Sequence, residues 1–286
     1  MEIRVDNLNH FFKRGTPFER QALRDISFLI PPEKVLGVLG PIGSGKTTLA
    51  RTLNGLVQPT SGKISLGGVD IKNFGPDLRK KIALVFQQPE KQLFEETVFR
   101  DISFPLRSSY DFSEEDIELR VGNACATVGL YIDEIRNRSP FELSAGEKRR
   151  VAIAGALVND PEVLILDEPA ADLDPPSLLI LNNIVESFKK KKGHTVIIVS
   201  HDMDSFLPVL DLLLVMHNGK MAAFGAVREV CSELRNDPEL RQILPSLGLL
   251  VEELRARNIH MPDGDFDLQL IKDRIIDVLR TGRSFT

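Results

Sequence analysis

The stretch Gly40-Pro-Ile-Gly-Ser-Gly45-Lys46-Thr47 constrains this chain more than any other part of it. It fits the pattern GxxxxGK[ST]. It also stands where that pattern has physical meaning, after the apolar run VLGVLG and before a helical pattern from Thr47 to Leu56. Glycines at Gly40, Gly43 and Gly45 let the backbone wrap closely, so that N–H groups and a helix N-terminus face an anion. Pro41, Ser44 and Thr48 complete the loop and its exit. Lys46 can reach the β- and γ-phosphates of a nucleotide, and the Thr47 hydroxyl can ligate Mg²⁺. The strand–loop–helix context argues against a chance glycine-rich turn. The spacing GxxGxG, rather than GxGxxG, argues against a dinucleotide loop.

Such a unit needs a parallel sheet around it, and the sequence offers one. Ile64–Leu66, Ile82–Phe86, Val163–Leu166, Val196–Val199 and Leu212–Met216 are continuous Val/Ile/Leu-rich runs, as expected of strands buried on both faces. The first 30 residues read as short strands joined by the polar loop KRGTPFER, with Ile3 and Val5 alternating against charged neighbours. Between about 90 and 160 the pattern turns helical. Ser113 before Glu115 and Asp116 opens one helix, and Ser144 with Glu147 has the spacing of a capping box. Beyond about 225 it is helical again, with Leu268, Ile271, Ile275 and Leu279 at three- and four-residue steps and Gly282 as a stop.

Composition narrows the possible roles. At 286 residues and 42% hydrophobic, the chain supports one large domain plus a small appendage. A formal charge of −5 gives no global basic field for nucleic acid, so nucleic acid is not expected as a partner. Cys125 and Cys231 lie far apart without a CxxC, which points to a reducing compartment with no zinc site and no disulfide framework. The N-terminus lacks the pattern of a signal peptide. The strongly apolar run at Leu210–Met216 is interrupted by Asp211 and far shorter than the about 20 residues that span a bilayer.

The second chemical signal is Val163-Leu-Ile-Leu166-Asp167-Glu168, an apolar strand ending in two carboxylates. Asp167 can face Mg²⁺, commonly through a water. Glu168 can orient or deprotonate an attacking water. Many strands end this way, so the pair gains weight only from the loop at Lys46.

Three further motifs carry a resemblance. Leu143-Ser144-Ala145-Gly146-Glu147 resembles the LSGGQ signature of ABC ATPases, Ala171-Asp172-Leu173-Asp174 their D-loop, and Val199-Ser200-His201-Asp202 their switch histidine. Gln87 falls at the family's Q-loop glutamine. The motifs stand in the family's order across residues 40–201. The resemblance implies an α/β P-loop NTPase core of the ABC ATPase type, with an N-terminal antiparallel β subdomain, a helical signature subdomain at about 90–160 and a small helical C-terminal appendage. The ATPase domain would span 1–225 and the appendage 226–286, pairing with the same element of a partner.

By the same resemblance Glu168, His201 and Gln87 are catalytic, with His201 contacting the γ-phosphate, and Thr47, Gln87 and Asp167 hold Mg²⁺. Ser144 opens a helix that serves the ATP of a second ABC ATPase subunit, in a head-to-tail dimer with two ATP molecules in the interface. Blander readings stand beside these: Ser144 as an N-cap, His201 as a strand-end histidine, Gln87 as a surface residue. Phe12 lies where the family places an adenine-stacking aromatic; Phe11 or His10 could serve instead, and a core aromatic is the competing reading. Ala145 in place of glycine and Glu147 in place of glutamine depart from the signature. They suggest two unequal ATP sites and a partner that is a different chain.

Two stretches narrow the resemblance. Gly15-Thr-Pro-Phe-Glu19, and Phe86-Gln-Gln-Pro89-Glu90-Lys-Gln92-Leu93-Phe94, are similar to ATPases of energy-coupling factor transporters. Those importers take up vitamins and transition-metal ions, with two related ATPases on one transmembrane coupling protein that joins a membrane substrate-binding protein. Pro89, Glu90, Gln92, Leu93 and Phe94 would then face the coupling protein at the cytoplasmic side of the membrane. A surface helix with Leu93 and Phe94 in the core is the plainer reading. A conventional importer ATPase and a soluble ABC scaffold protein are the competing functions.

Overall fold

The computed structural model describes residues 1–108, 112–171, 173–257, 259, 261, 266 and 268–281. The chain opens with β1 (Ile3–Phe12) and β2 (Arg20–Ile30), crosses to β3 (Val35–Leu39), and after α1 (Lys46–Leu53) returns as β4 (Ser61–Leu66) and β5 (Val69–Asp70). A 3-10 segment and α2 (Leu78–Lys81) lead into β6 (Ile82–Val85). The helices α3 (Val98–Arg107), α4 (Glu114–Thr127), α5 (Ile132–Ile135) and α6 (Ala145–Leu157) come next. Then follow β7 (Val163–Asp167), α7 (Pro175–Lys189), β8 (Thr195–Ser200), β9 (Leu212–His217) and β10 (Lys220–Ala226). The chain continues with α8 (Val227–Leu234), α9 (Ser246–Ala256) and α10 (Leu268–Thr281).

Two sheets result. The first is antiparallel, in the order β2-β1-β4-β5, so that Ile64–Leu66, expected among the parallel strands, instead pairs antiparallel with β1. The second has the order β10-β9-β3-β8-β7-β6 and is parallel except for the β9–β10 hairpin. Strand alternation explains why its runs are apolar throughout. Val163 and Ile165 join a core shared with the first sheet and with Leu49, Ala50 and Leu53 of α1, whereas Leu164 and Leu166 join the core under α3, α4, α6, α7 and α8. Each buried aliphatic contributes roughly 1.5–3 kcal/mol, so burial on both faces fixes these strands firmly.

The helix after the glycine-rich loop ends at Leu53, short of the Leu56 that the pattern allowed. Asn54 caps it and Gly55 turns left-handed at φ 76, while the Asn54 amide donates to the carbonyl of Ile82. At the C-terminal end Val227, Val230, Cys231 and Leu234 bury one face of α8 in the main core. Ile271 of α10 is buried there too, with Ile275 packed against the cluster. Gly282, expected as the stop of that helix, lies outside the described residues. Among the described residues no helix is long and apolar enough to cross a membrane.

Candidate nucleotide site

The parallel sheet aligns the chemistry by register. Leu39 of β3 pairs with Ser200 of β8, and Val199 pairs with Asp167 of β7. The loop after β3, the carboxylates after β7 and the histidine after β8 therefore leave at the carboxyl ends of three adjacent strands, the edge where open α/β sheets bind ligands. Val85 of β6 pairs with Leu166, so Gln87 leaves at that same end, where it is exposed.

The loop's glycines are steric requirements. A Cβ on Gly40 would run into the Met216 carbonyl oxygen. Gly45 sits at φ 105, and a Cβ there would lie 2.6 Å from the carbonyl oxygen of Ala22 in β2. Lys46 is buried, and its Nζ donates to the carbonyls of Gly40 (2.7 Å) and Pro41 (3.2 Å). Burial pushes its pKa down, while Glu168 and Asp167 pull it up. Ser44 is buried with its Oγ unpartnered among the described residues; Gly43 and Thr48 flank this turn and the start of α1.

Thr47 Oγ1 donates to Asp167 Oδ1 at 3.3 Å. Asp167 is buried, and that desolvation lifts its pKa; the Thr47 hydrogen bond lowers it and the charge of Glu168 lifts it further. Glu168 holds φ 49, a region that non-glycine residues rarely adopt, while its N–H donates to Val199 O at 2.7 Å. Its Oε2 accepts from Ser200 Oγ at 2.9 Å and lies 2.9 Å from His201 Nδ1. Lys46, Thr47, Asp167, Glu168 and His201 thus form one cluster. No motif announced Ser200 as a partner of Glu168, although a hydroxyl between strand end and histidine was the available signal.

The signature residues form a separate feature, an exposed helix end. Ser144 caps α6: its Oγ accepts from Glu147 N at 3.3 Å and donates to Glu147 Oε2 at 2.8 Å, and its own N–H donates to Oε2 at 2.9 Å. These bonds from the Ser144 backbone and hydroxyl hold the Glu147 carboxyl below its usual range, helped by Arg138 and Arg150. Leu143 is buried beneath the cap, Ala145 is exposed, and a Cβ on Gly146 would meet open space. Arg149, which carried no motif, donates to the carbonyls of Pro169 and Ala171 at 3.1 Å each, tying α6 to the segment after β7. Asp172 lies outside the described residues. Leu173 packs against the core, and Asp174 caps α7 by accepting from Ser177 N at 2.9 Å.

Among the N-terminal aromatics, Phe12 is 42% exposed, and buried His10 packs edge-on against it at 4.6 Å with Nδ1 3.0 Å from Gln58 O. Arg14 lies 6.0 Å from the Phe11 ring centre. In the Pro89–Gln92 3-10 turn Pro89 is buried, Glu90 is half-buried and Gln92 is exposed. Leu93 then enters the core, whereas Phe94 is 57% exposed and meets Phe104 at 4.8 Å. The plainer expectation for this stretch holds for Leu93 and not for Phe94.

Residues 23–171 match the family described as ABC transporter. Over 284 residues, 98% of either chain, the protein is 44% identical to the energy-coupling factor transporter ATP-binding protein EcfA2 of Caldanaerobacter subterraneus. This chain belongs to the ABC transporter ATPases. It is similarly 40% identical over 292 residues to the EcfA2 of Bacillus thuringiensis, covering 99% of this chain and 98% of that one. Among solved structures, cbiO1 of Clostridium perfringens, described as part of the ABC transporter complex cbiONQ, aligns with a TM-score of 0.72 at 36% identity, covering 87% of this chain and 98% of that one. The ABC cassette MJ0796, described as a dimer in a post-hydrolysis state bound to ADP and Pi, aligns at 0.69 and 26% identity, covering 78% and 98%. As an ABC ATPase of the energy-coupling factor type, the chain binds ATP and couples its hydrolysis to transport.

Proposed function

We propose that this ABC ATPase works head-to-tail with a second, related ATPase chain, with MgATP between them, docked on a transmembrane coupling protein at the cytoplasmic face of the membrane. The pair would energise an importer of vitamins or transition-metal ions whose solute is chosen by a membrane substrate-binding protein. One observation carries the reading: the phosphate loop and the carboxylate–histidine cluster gather on one sheet edge, while the Ser144-capped end of α6 is an exposed helix start. Such a helix end carries roughly half a positive charge and free N–H donors, which suit a γ-phosphate. The open space at Gly146 supports this, because among the described residues no atom lies within 4 Å of a Cβ built there. The dimeric MJ0796 cassette holding ADP and Pi supports it as well.

In this reading Lys46 and the backbone of the loop hold the phosphates, and Phe12 stacks on adenine. Glu168, fixed by Ser200, orients the attacking water and receives its proton, and His201 senses the γ-phosphate. Thr47, Asp167 and Gln87 form an all-oxygen donor set that fits Mg²⁺, a hard cation that when bound neutralises charge on the phosphate oxygens. Leu173 and Asp174 follow the signature-linked segment toward the partner, and Glu90, Gln92 and Phe94 face the coupling protein on a turn anchored by buried Pro89 and Leu93. Residues 1–225 act as the ATPase domain, and 226–286 as an appendage whose α8 completes that domain's core and whose later helices pair with the partner's. The Ala145 and Glu147 departures, with the GTPFE loop, favour a heterodimer with unequal ATP sites.

The test is a Glu168→Gln variant assayed with its partner. ATP binding is retained, the closed dimer is stabilised, and hydrolysis falls by roughly two orders of magnitude or more, as expected when an essential base is lost. Lys46→Ala loses nucleotide affinity instead. Near-normal turnover in the Gln variant refutes the catalytic assignment.

A further inference from the structure

Arg20 occupies a position that no motif of the sequence marks. It is the first residue of β2, and its Cα partner across the antiparallel pair is Phe12. Directly opposed residues in such a pair project to the same face with Cβ atoms about 5 Å apart. From there the Arg20 guanidinium reaches the glycine-rich loop, where Nη2 donates to Gly43 O at 3.2 Å. The same strand hugs the loop further on, since the Ala22 carbonyl leaves no room for a Cβ at Gly45.

The other cations of the β1–β2 loop turn elsewhere: Lys13 lies 5.4 Å over the Phe18 ring and Arg14 lies 6.0 Å from the Phe11 ring centre. Arg20 alone of these three reaches the loop. It is exposed, and it joins the exposed Phe12 face to the phosphate cradle. A bond to one exposed backbone carbonyl contributes little and needs no charge; a neutral donor would serve. A guanidinium carries five donors in a rigid fork suited to phosphate oxygens, and Gly43 takes one of them.

We propose that Arg20 is a nucleotide-contacting residue that binds the α-phosphate and ribose segment between the adenine platform and the Lys46 loop. The proposal rests on the reading of Phe12 and the Lys46 loop as the nucleotide cradle. Because a contact at the α-phosphate is shared by ATP and ADP, Arg20 sets affinity for both equally and adds nothing specific to the γ-phosphate.

Calorimetric titration of the chain with MgATP and with MgADP tests it, using Arg20→Ala, Arg20→Lys and Arg20→Gln. Arg20→Ala is expected to weaken both nucleotides by about ten-fold, as for one exposed charge-assisted contact. Arg20→Lys recovers part of that loss and Arg20→Gln does not. Full recovery by Gln assigns Arg20 to bracing the Gly43 carbonyl and overturns the proposal. So does wild-type affinity in Arg20→Ala, or a loss confined to ATP. Thermal unfolding of each variant without nucleotide shows whether the fold is intact; if Arg20→Ala unfolds, the Lys–Gln contrast decides. Lys46→Ala serves as the separate control: unchanged nucleotide affinity there refutes the cradle reading itself.

Discussion

Asp167 answers to two demands that pull its ionisation in opposite directions. It closes a buried strand, where desolvation lifts its pKa, yet in the proposed site its carboxylate would face a cation beside Thr47. A carboxyl raised in the folded state binds its proton more tightly folded than unfolded. Its charge therefore lowers stability as pH climbs from the unfolded value through the folded one, and the loss is recovered below that window. Asp167→Asn keeps the shape and the Thr47 contact while removing the buried charge. The variant should unfold at an equal or higher temperature than wild type at pH 7 while its ATPase activity with the partner collapses; a lower Tm with activity intact contradicts both halves. Glu168 shows the same tension in its backbone, held at φ 49 by its own N–H bond to Val199 and by the pairing of β7 with β8.

At the scale of one element, α6 shows how local rules and function share residues. The capping box between Ser144 and Glu147 was legible in the sequence because it needs only three residues' separation and a helix start. That the Glu147 carboxylate would hold both the hydroxyl and the N–H of Ser144 came from the structure. The group that the partner's γ-phosphate would meet is thus engaged by an anion. The depressed pKa of Glu147 gives the cap a stability that is present above the unfolded carboxylate pKa and lost as pH falls through the folded one. Glu147→Gln should cost no more than about 1 kcal/mol of stability near neutral pH, with the gap to wild type narrowing in acid. Assayed with the partner, it should raise ATP turnover. Chemical unfolding at several pH values and steady-state hydrolysis check the two halves, and unchanged turnover counts against the proposal that Glu147 makes the two ATP sites unequal. The strand elements teach a complementary lesson: continuous apolar runs foretold burial on both faces, and pairing order alone decided which core each residue entered.

For the whole molecule the C-terminal stretch is the telling case. Its amphipathic spacing announced a face to be covered but not the surface that covers it. The structure seats Val227, Val230, Cys231 and Leu234 of α8 in the main core, beside β9 and β10. Burying four such side chains contributes several kcal/mol at roughly 1.5–3 kcal/mol for each large aliphatic, comparable with the about 5–15 kcal/mol that holds a typical domain together. Truncation after Ala226 should therefore give an aggregating or loosely folded chain. Truncation after 267, which among the described residues removes Ile271 alone from the buried set of the main core, should leave a cooperative unfolding transition. If the appendage also joins two subunits, this shorter deletion should weaken association without nucleotide. Sedimentation and thermal unfolding of the two truncations separate the roles, and a well-folded chain ending at 226 overturns the prediction.

The amino-acid sequence alone determined what depends on neighbours a few residues apart: the phosphate loop between strand and helix, the serine caps of α4 and α6, and the apolar runs that must be strands. It also carried the order of motifs that marks an ABC ATPase. Tertiary structure decided everything that requires residues distant in the chain to meet. Ser200 and His201 reach Glu168 only because β8 lies between β3 and β7 in one register. Arg20 reaches Gly43, and Arg149 the carbonyls after β7, only because sheet and helix pack against those loops. Contact between such residues is set by pairing and close packing of whole elements, and a linear pattern records each element's own periodicity without recording which neighbour it will face.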